Sequence, residues 1–372
     1  MTSAAATSRN LFEKLGFTHN ITKTSSGSQV HTYTSDLGPD TPILTLIHGY
    51  PQSAYEWRYV SIPLPFSPLT SSPLHFPNTT LSSQVAPALK DKVSLFIPEL
   101  PGYGISTPIK SDTPIPSNSK RSVGNALLEA LAATFNTAQT PRKVIIGGHD
   151  RGARISHRLA VDFSHPPSAN AAGSHPTNPD IFPHLNLTVI GSVLLDIIPT
   201  TVQWARFSDP VISSGYFHWP MLANPELSTQ LISAFGGANW ARGANTRIAG
   251  PNPESLRRIS ADGAVDIYAE NFSTDEVLYY TALDYASGSA PESTEQDEDQ
   301  KAARKVEVPL LVMFSKAKLG ARTDVEAVWK DWVGPGVDYR GVGVGDGYGH
   351  YLPEEAHETV VEEVVAFLEK VT

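Results

Sequence analysis

Apolar residues along this chain gather in short continuous runs instead of alternating with polar ones. The clearest are Ile43–Ile47, Val93–Ile97, Val144–Ile146, Leu187–Leu195 and Pro309–Phe314. Runs of this length, largely apolar without strict alternation, predict parallel strands covered on both faces. Helical spacing fills the intervals, with Ser122–Phe135 before the Val144 run and Asp324–Val333 after the Pro309 run. In Glu354–Lys370, Val361, Val364, Val365 and Leu368 recur at i, i+3, i+4 and i+7, a stripe that faces a core. Strands alternating with helices on this scale predict an α/β fold, a mostly parallel sheet with helices on both faces.

Residues 203–295 break the rhythm. They are helical in pattern and rich in aromatics such as Trp204, Phe207, Trp240, Tyr268 and Tyr279. An insertion of this kind between two strands predicts a helical lid over the sheet edge, with the core over 11–202 and 296–372. Three further stretches, 62–87, 166–183 and 287–300, are Pro/Ser-rich or acidic and lack either period. They are expected as flexible surface insertions, since lengthening a loop costs little entropy.

The most informative segment is Val144–Arg154. A buried run enters Gly148-His149-Asp150-Arg151-Gly152, and a helix over Ala153–Asp162 follows. This is G-x-nucleophile-x-G in the strand–turn–helix context that a nucleophile elbow requires. The occupant is Asp, ionised at neutral pH without a partnering base. A carboxylate suits attack at sp³ carbon bearing a leaving group, and the resulting ester needs a water deprotonated by a histidine. The alternative for Asp150 alone is a helix N-cap.

Companion motifs add to that chemistry. The Ile43 run ends in His48-Gly49-Tyr50-Pro51. The backbone N–H groups of Tyr50 and Arg151 are expected to form an oxyanion hole, with His48 a packed structural residue. His350, Gly-flanked in Gly347-Tyr-Gly-His350-Tyr, stands where a triad in the chain order nucleophile, acid, histidine needs its base. Two acids compete to orient it. Asp196, ending the Leu187 strand at the rim, is preferred; Asp324 better suits an N-cap of the next helix. Arg151 and Arg154, three apart on one helical face, offer two guanidinium forks for a carboxylate, or a structural salt-bridged pair.

Composition narrows the classes. The 372 residues carry 28 Lys+Arg against 38 Asp+Glu, a formal charge of −10, which argues against nucleic-acid or anionic-lipid partners. Cysteine is absent, so thiolate chemistry is excluded. No apolar run reaches the roughly 20 residues of a membrane span. The N-terminus lacks a signal layout, making a cytoplasmic location the expectation. The expected partner is a small anionic molecule; a homodimer is left open.

Together, HGYPQ, ELPGYG, GHDRGAR, LLDIIPT, FHWP, LDYASG and GHYLPEEA resemble the α/β-hydrolase superfamily, and within it the fluoroacetate (haloacetate) dehalogenases. The HG-x-P and G-x-D-x-G motifs are shared with epoxide hydrolases and haloalkane dehalogenases, whereas DRGAR and the lid HW are more selective. The resemblance implies an α/β-hydrolase fold with Asp150 as nucleophile, His350 as base and Asp196 as acid. Arg151 and Arg154 would bind the substrate carboxylate, while His218, Trp219 and Tyr285 would cradle a departing halide. It implies no metal and no organic cofactor. Cleavage of a small 2-haloacid leads; an epoxide hydrolase with the same machinery and a non-catalytic hydrolase-fold binder are the alternatives.

Overall fold

The structure, a computed structural model, describes residues 3–58, 85–174 and 179–372. Among these residues eight strands form one sheet: β1 (Thr18–Lys23), β2 (Gln29–Ser35), β3 (Ile43–Thr45), β4 (Ser94–Pro98), β5 (Arg142–His149), β6 (Leu187–Leu195), β7 (Leu310–Ser315) and β8 (Tyr339–Val344). Their spatial order is β1-β2-β4-β3-β5-β6-β7-β8. The pairs β1–β2 and β2–β4 are antiparallel, and all pairings from β4 through β8 are parallel.

The continuous apolar runs have a direct cause. Successive strand residues point to opposite faces, and both faces are buried here. Val144 and Ile146 join a core with Leu127, Leu131 and Leu159 from the helices Lys120–Thr134 and Arg151–Ser164. Ile145 points the other way, into a core with Val360, Val364 and Phe367 of the helix His357–Val371. Each fully buried side chain of this size contributes roughly 1.5–3 kcal/mol.

Several boundaries differ from expectation. The antiparallel β1 and β2 and the Gly-containing β8 lack long apolar runs and were not among the predicted strands. The last helix does not run unbroken from Glu354: it splits into Leu352–Glu355 and His357–Val371. At the break the Glu355 carboxylate accepts from the N–H groups of Gly349 (2.5 Å) and Tyr351 (3.0 Å). Between β6 and β7 the chain forms a succession of helices from Thr200 to Lys301.

The stretch 287–300, expected as a flexible insertion, is instead largely helical, in Asp275–Ser289 and Glu292–Lys301. Its acids are neutralised from the core: Asp299 pairs with Arg158 (2.6 Å), and a Glu292 carboxylate oxygen lies 3.6 Å from Lys120 Nζ. Those cations lie far away in sequence, so local composition could not reveal them. The expected insertion 62–87 lies outside the described residues up to 84, and 166–183 does so over 175–178. Among the described residues, no helix is long and apolar enough to cross a membrane.

Candidate active site

The reactive side chains sit at the C-terminal ends of the parallel strands, where an open α/β sheet presents its crevice. Asp150 follows β5, Asp196 follows β6 and His350 follows β8. The elbow at Asp150 depends on its glycines. A Cβ on Gly148 would lie 2.7 Å from the Ile47 carbonyl oxygen, and one on Gly152 only 2.1 Å from it. Strand, turn and helix therefore pack backbone against backbone. Asp150 itself has φ 46° and ψ −111°, a conformation non-glycine residues rarely adopt. Neighbouring strands pin it: the Asp150 N–H donates to Leu195 O (3.1 Å) and the His149 N–H to Ile47 O (2.8 Å).

Asp150 does not act as an N-cap, since its carboxylate makes no capping hydrogen bond to the following helix. Instead Oδ2 accepts from the Tyr50 N–H at 3.0 Å, and Oδ1 lies 4.0 Å from His350 Nε2. Burial pushes this carboxyl up, but His350, Arg151, His149 and Arg154 together outweigh it and hold the pKa at about 2.

His350 Nδ1 lies 2.6 Å from Asp196 Oδ2, while Asp196 Oδ1 accepts from the Ser315 N–H at 2.8 Å. The competing acid, Asp324, caps the helix Val325–Lys330 through the Ala327 N–H (3.0 Å). His48 is a packed residue, its Nε2 accepting from the Leu100 N–H at 3.0 Å.

Asp150, Asp196 and His350 line a cavity of about 390 Å³, together with Tyr50, Arg154, His218, Trp219 and Tyr285. Burial, only partly countered by Asp150, lowers the His218 pKa to about 3, so its ring is neutral at pH 7. Its Nδ1 is buried without a hydrogen-bond partner. Tyr216, on which sequence reasoning placed no role, also lines the cavity; burial and then Asp196 push its hydroxyl up to about 12.

The two arginines diverge, which corrects the expectation of a paired clamp. Arg154 lines the cavity; its Nη1 donates to Ile198 O (2.9 Å) and Thr200 Oγ1 (3.1 Å), leaving Nε buried and unpartnered. Arg151 does not line it. Its Nε is bound to the Asp284 carboxylate and its Nη2 to Asp284 O (2.9 Å), so that only Nη1 lacks a partner. Asp284 also pairs with buried Lys120. Both guanidinium groups rest on Trp219, at 5.2 Å for Arg151 and 4.5 Å for Arg154, and Arg151 lies 4.0 Å from the Tyr285 ring centre.

A second polar layer behind the site escaped sequence reasoning. Buried Glu56 lies 3.2 Å from His149 Nδ1, and Glu355 holds the loop that carries His350. Glu56 belongs to no motif, and Glu355, although it lies within GHYLPEEA, was assigned no role from the sequence. Among the described residues no group of three or more His, Cys, Asp or Glu converges as a metal site.

Comparison with known proteins agrees with this architecture. A profile of the alpha/beta hydrolase family matches residues 46–363. The chain is 25% identical over 301 residues to a fluoroacetate dehalogenase from Burkholderia sp, covering 79% of this chain and 77% of that one. It is 23% identical over 355 residues to a soluble epoxide hydrolase from Corynebacterium sp. (strain C12), covering 92% and 94%. A candidate alpha/beta hydrolase of solved structure from Nostoc sp PCC 7120 superposes with a TM-score of 0.72 at 26% identity, over 96% of this chain and 99% of that one. With its mostly parallel sheet, its strand–elbow–helix and a family match across most of its length, the chain belongs to the alpha/beta hydrolase family.

Proposed function

We propose that the protein is a hydrolytic dehalogenase of 2-haloacids that works through an ester on Asp150. The observation that carries this reading is one cavity shared by an ionised Asp150 and the Arg154 guanidinium, which has no carboxylate partner among the described residues. Such a buried, unsatisfied cation suits a substrate carboxylate. The Tyr50 N–H occupies Oδ2, so Oδ1 attacks the halogen-bearing carbon. A C–O bond forms as the C–halogen bond breaks, and halide leaves with the bonding pair toward His218, Trp219 and Tyr285.

His350 Nε2 then takes a proton from water, and the hydroxide adds to the Asp150 carbonyl carbon. Asp196 stabilises the imidazolium. The oxyanion develops on Oδ2, where the Tyr50 N–H already points and the Arg151 N–H is the second donor. Collapse expels the 2-hydroxyacid and restores the carboxylate, with one proton and one halide released per turnover.

A second reading, epoxide hydrolysis, is favoured by Tyr216 and Tyr285 lining the cavity together with Asp150. A tyrosine hydroxyl would then protonate the alkoxide as the ring opens. Incubation with fluoroacetate, chloroacetate and styrene oxide, measuring halide and diol for wild type and Asp150→Asn, separates the two. Trapping a mass increment on the Asp150 peptide in His350→Ala supports the covalent step; activity undiminished in Asp150→Asn sinks it.

A further inference from the structure

The dehalogenation reading leaves part of the cavity unused. Arg247, on the helix Gly237–Ile248, and Lys318 and Arg322, in the loop after β7, line the same cavity as Asp150. Arg247 and Arg322 are exposed and Lys318 is half-buried, which puts them at its solvent end. Among the described residues none of the three side chains has a carboxylate or hydrogen-bond partner; Arg247 only stacks over Phe217, at 5.0 Å.

That is unusual in this molecule. Acids outnumber Lys+Arg by 38 to 28. Exposed arginines elsewhere find carboxylates, as in Arg9–Glu13, Arg242–Asp266, Arg257–Glu254 and Arg340–Glu363. Among the described residues, only Arg154, Arg206, Arg247 and Arg322 of the arginines lack an ion-pair partner, and three of those four line this cavity. The acids lining it, Asp150 and Asp196, are committed to Tyr50 and His350 and to Ser315 and His350. The lining also includes apolar side chains, among them Ile198, Ile212 and Leu319.

We infer that the cavity takes substrates with two anionic groups, a 2-halodicarboxylate whose reacting end lies at Arg154 and whose distal carboxylate is held by Arg247, Lys318 and Arg322. The halogen in this substrate rests on the proposed function; the two charges do not. The volume also fits, because about 390 Å³ is far more than a two-carbon haloacid fills. A methylene chain against the apolar side chains joins the two charged ends.

The test is calorimetric binding of unreactive ligands, glutarate and adipate against pentanoate and hexanoate. At about 0.15 M salt the screening length is about 8 Å, so long-range attraction is damped. We expect each dicarboxylate to bind about tenfold or more tightly than the monocarboxylate of equal length, a difference of about 1.4 kcal/mol. Lys318→Ala/Arg322→Ala, which keeps Arg247, is expected to cut that preference severalfold and leave monocarboxylate affinity nearly unchanged. Absence of a preference in wild type, including absence of binding by either class, overturns the inference, as does equal weakening of both classes by the double variant. A parallel measurement of halide release from chloroacetate and 2-chloroglutarate keeps the two readings apart. Dicarboxylate preference without halide release removes the dehalogenase reading alone; chloroacetate turnover without the preference removes the two-anion site alone.

Discussion

His149, the residue before the elbow carboxylate, donates from Nε2 to the backbone carbonyl of His350 across 2.8 Å. Its other nitrogen, Nδ1, lies 3.2 Å from a Glu56 carboxylate oxygen. Both ring nitrogens thus face acceptors, which an imidazolium satisfies and a neutral ring paired with an ionised carboxylate does not. Burial lowers the His149 pKa, but Glu56 outweighs it and raises the value to about 9. One buried ion pair therefore both holds the loop that carries His350 and places positive charge beside Asp150.

The pH dependence of this pair has a definite sign. A folded-state pKa above the unfolded value of 6.5 contributes stability that is complete below pH 6.5 and is lost as pH rises through about 9. Glu56→Gln is expected to destabilise by about 2 kcal/mol at pH 6 and by distinctly less near pH 9.5. Chemical denaturation at both pH values measures it; a loss equal at both would mean that the pair carries no charge.

His218 has the opposite sign. Its pKa, lowered from 6.5 to about 3, means that the unfolded chain takes up a proton the folded one refuses. Stability is complete above pH 6.5 and declines as pH falls toward 3, by about 2 kcal/mol at pH 5. Buried His157, also lowered to about 3, behaves alike, so His218→Gln removes only part of the effect. The gap in thermal midpoint between wild type and His218→Gln should narrow from pH 8 to pH 5; a constant gap would contradict a neutral, buried ring.

Arg154 and Tyr285 separate the two reaction classes. Arg154→Gln is expected to lower kcat/KM for chloroacetate by about 10²-fold, since the carboxylate loses a desolvated partner, yet to spare neutral styrene oxide. Tyr285→Phe should depress epoxide opening by about 10²-fold or more through loss of a proton donor. Steady-state kinetics on both substrates decide it: equal losses on the two substrates in Arg154→Gln would remove its assignment to the carboxylate.

The elbow should tolerate no side chain at Gly152. A Cβ there meets the Ile47 carbonyl oxygen at 2.1 Å, a backbone atom of a buried strand that cannot step aside. Gly152→Ala is expected to cost roughly 3 kcal/mol or more, seen as a lower unfolding midpoint or lost soluble yield. Gly243→Ala, in a lid helix with nothing within 4 Å of its Cβ, should instead raise stability by roughly 0.5–1 kcal/mol. Similar midpoints for the two variants would mean that the strand–helix contact at the elbow is not tight.

Much of this was legible from local pattern. The run Leu187–Leu195 is a strand residue for residue, because seven of its nine positions are buried between the two helical layers. Gly148-x-Asp150-x-Gly152 identified the elbow, since a close backbone approach between strand and helix excludes any Cβ, and that requirement is written in two glycines four residues apart. Short periods and single-residue steric demands are set within a few residues of one another, so a linear chain displays them.

Partnerships are another matter. That Asp196 and not Asp324 reaches His350 follows from strand order, which brings together residues 154 apart. Arg151 and Arg154 look equivalent three residues apart, yet one turns to Asp284, 133 residues downstream, and the other into the cavity. The acidic run 287–300 folds as helix because distant arginines and a lysine neutralise it. Charges act through space, and burial strengthens their interaction while making each unpaired one costly. Packing alone assigns each buried charge its partner.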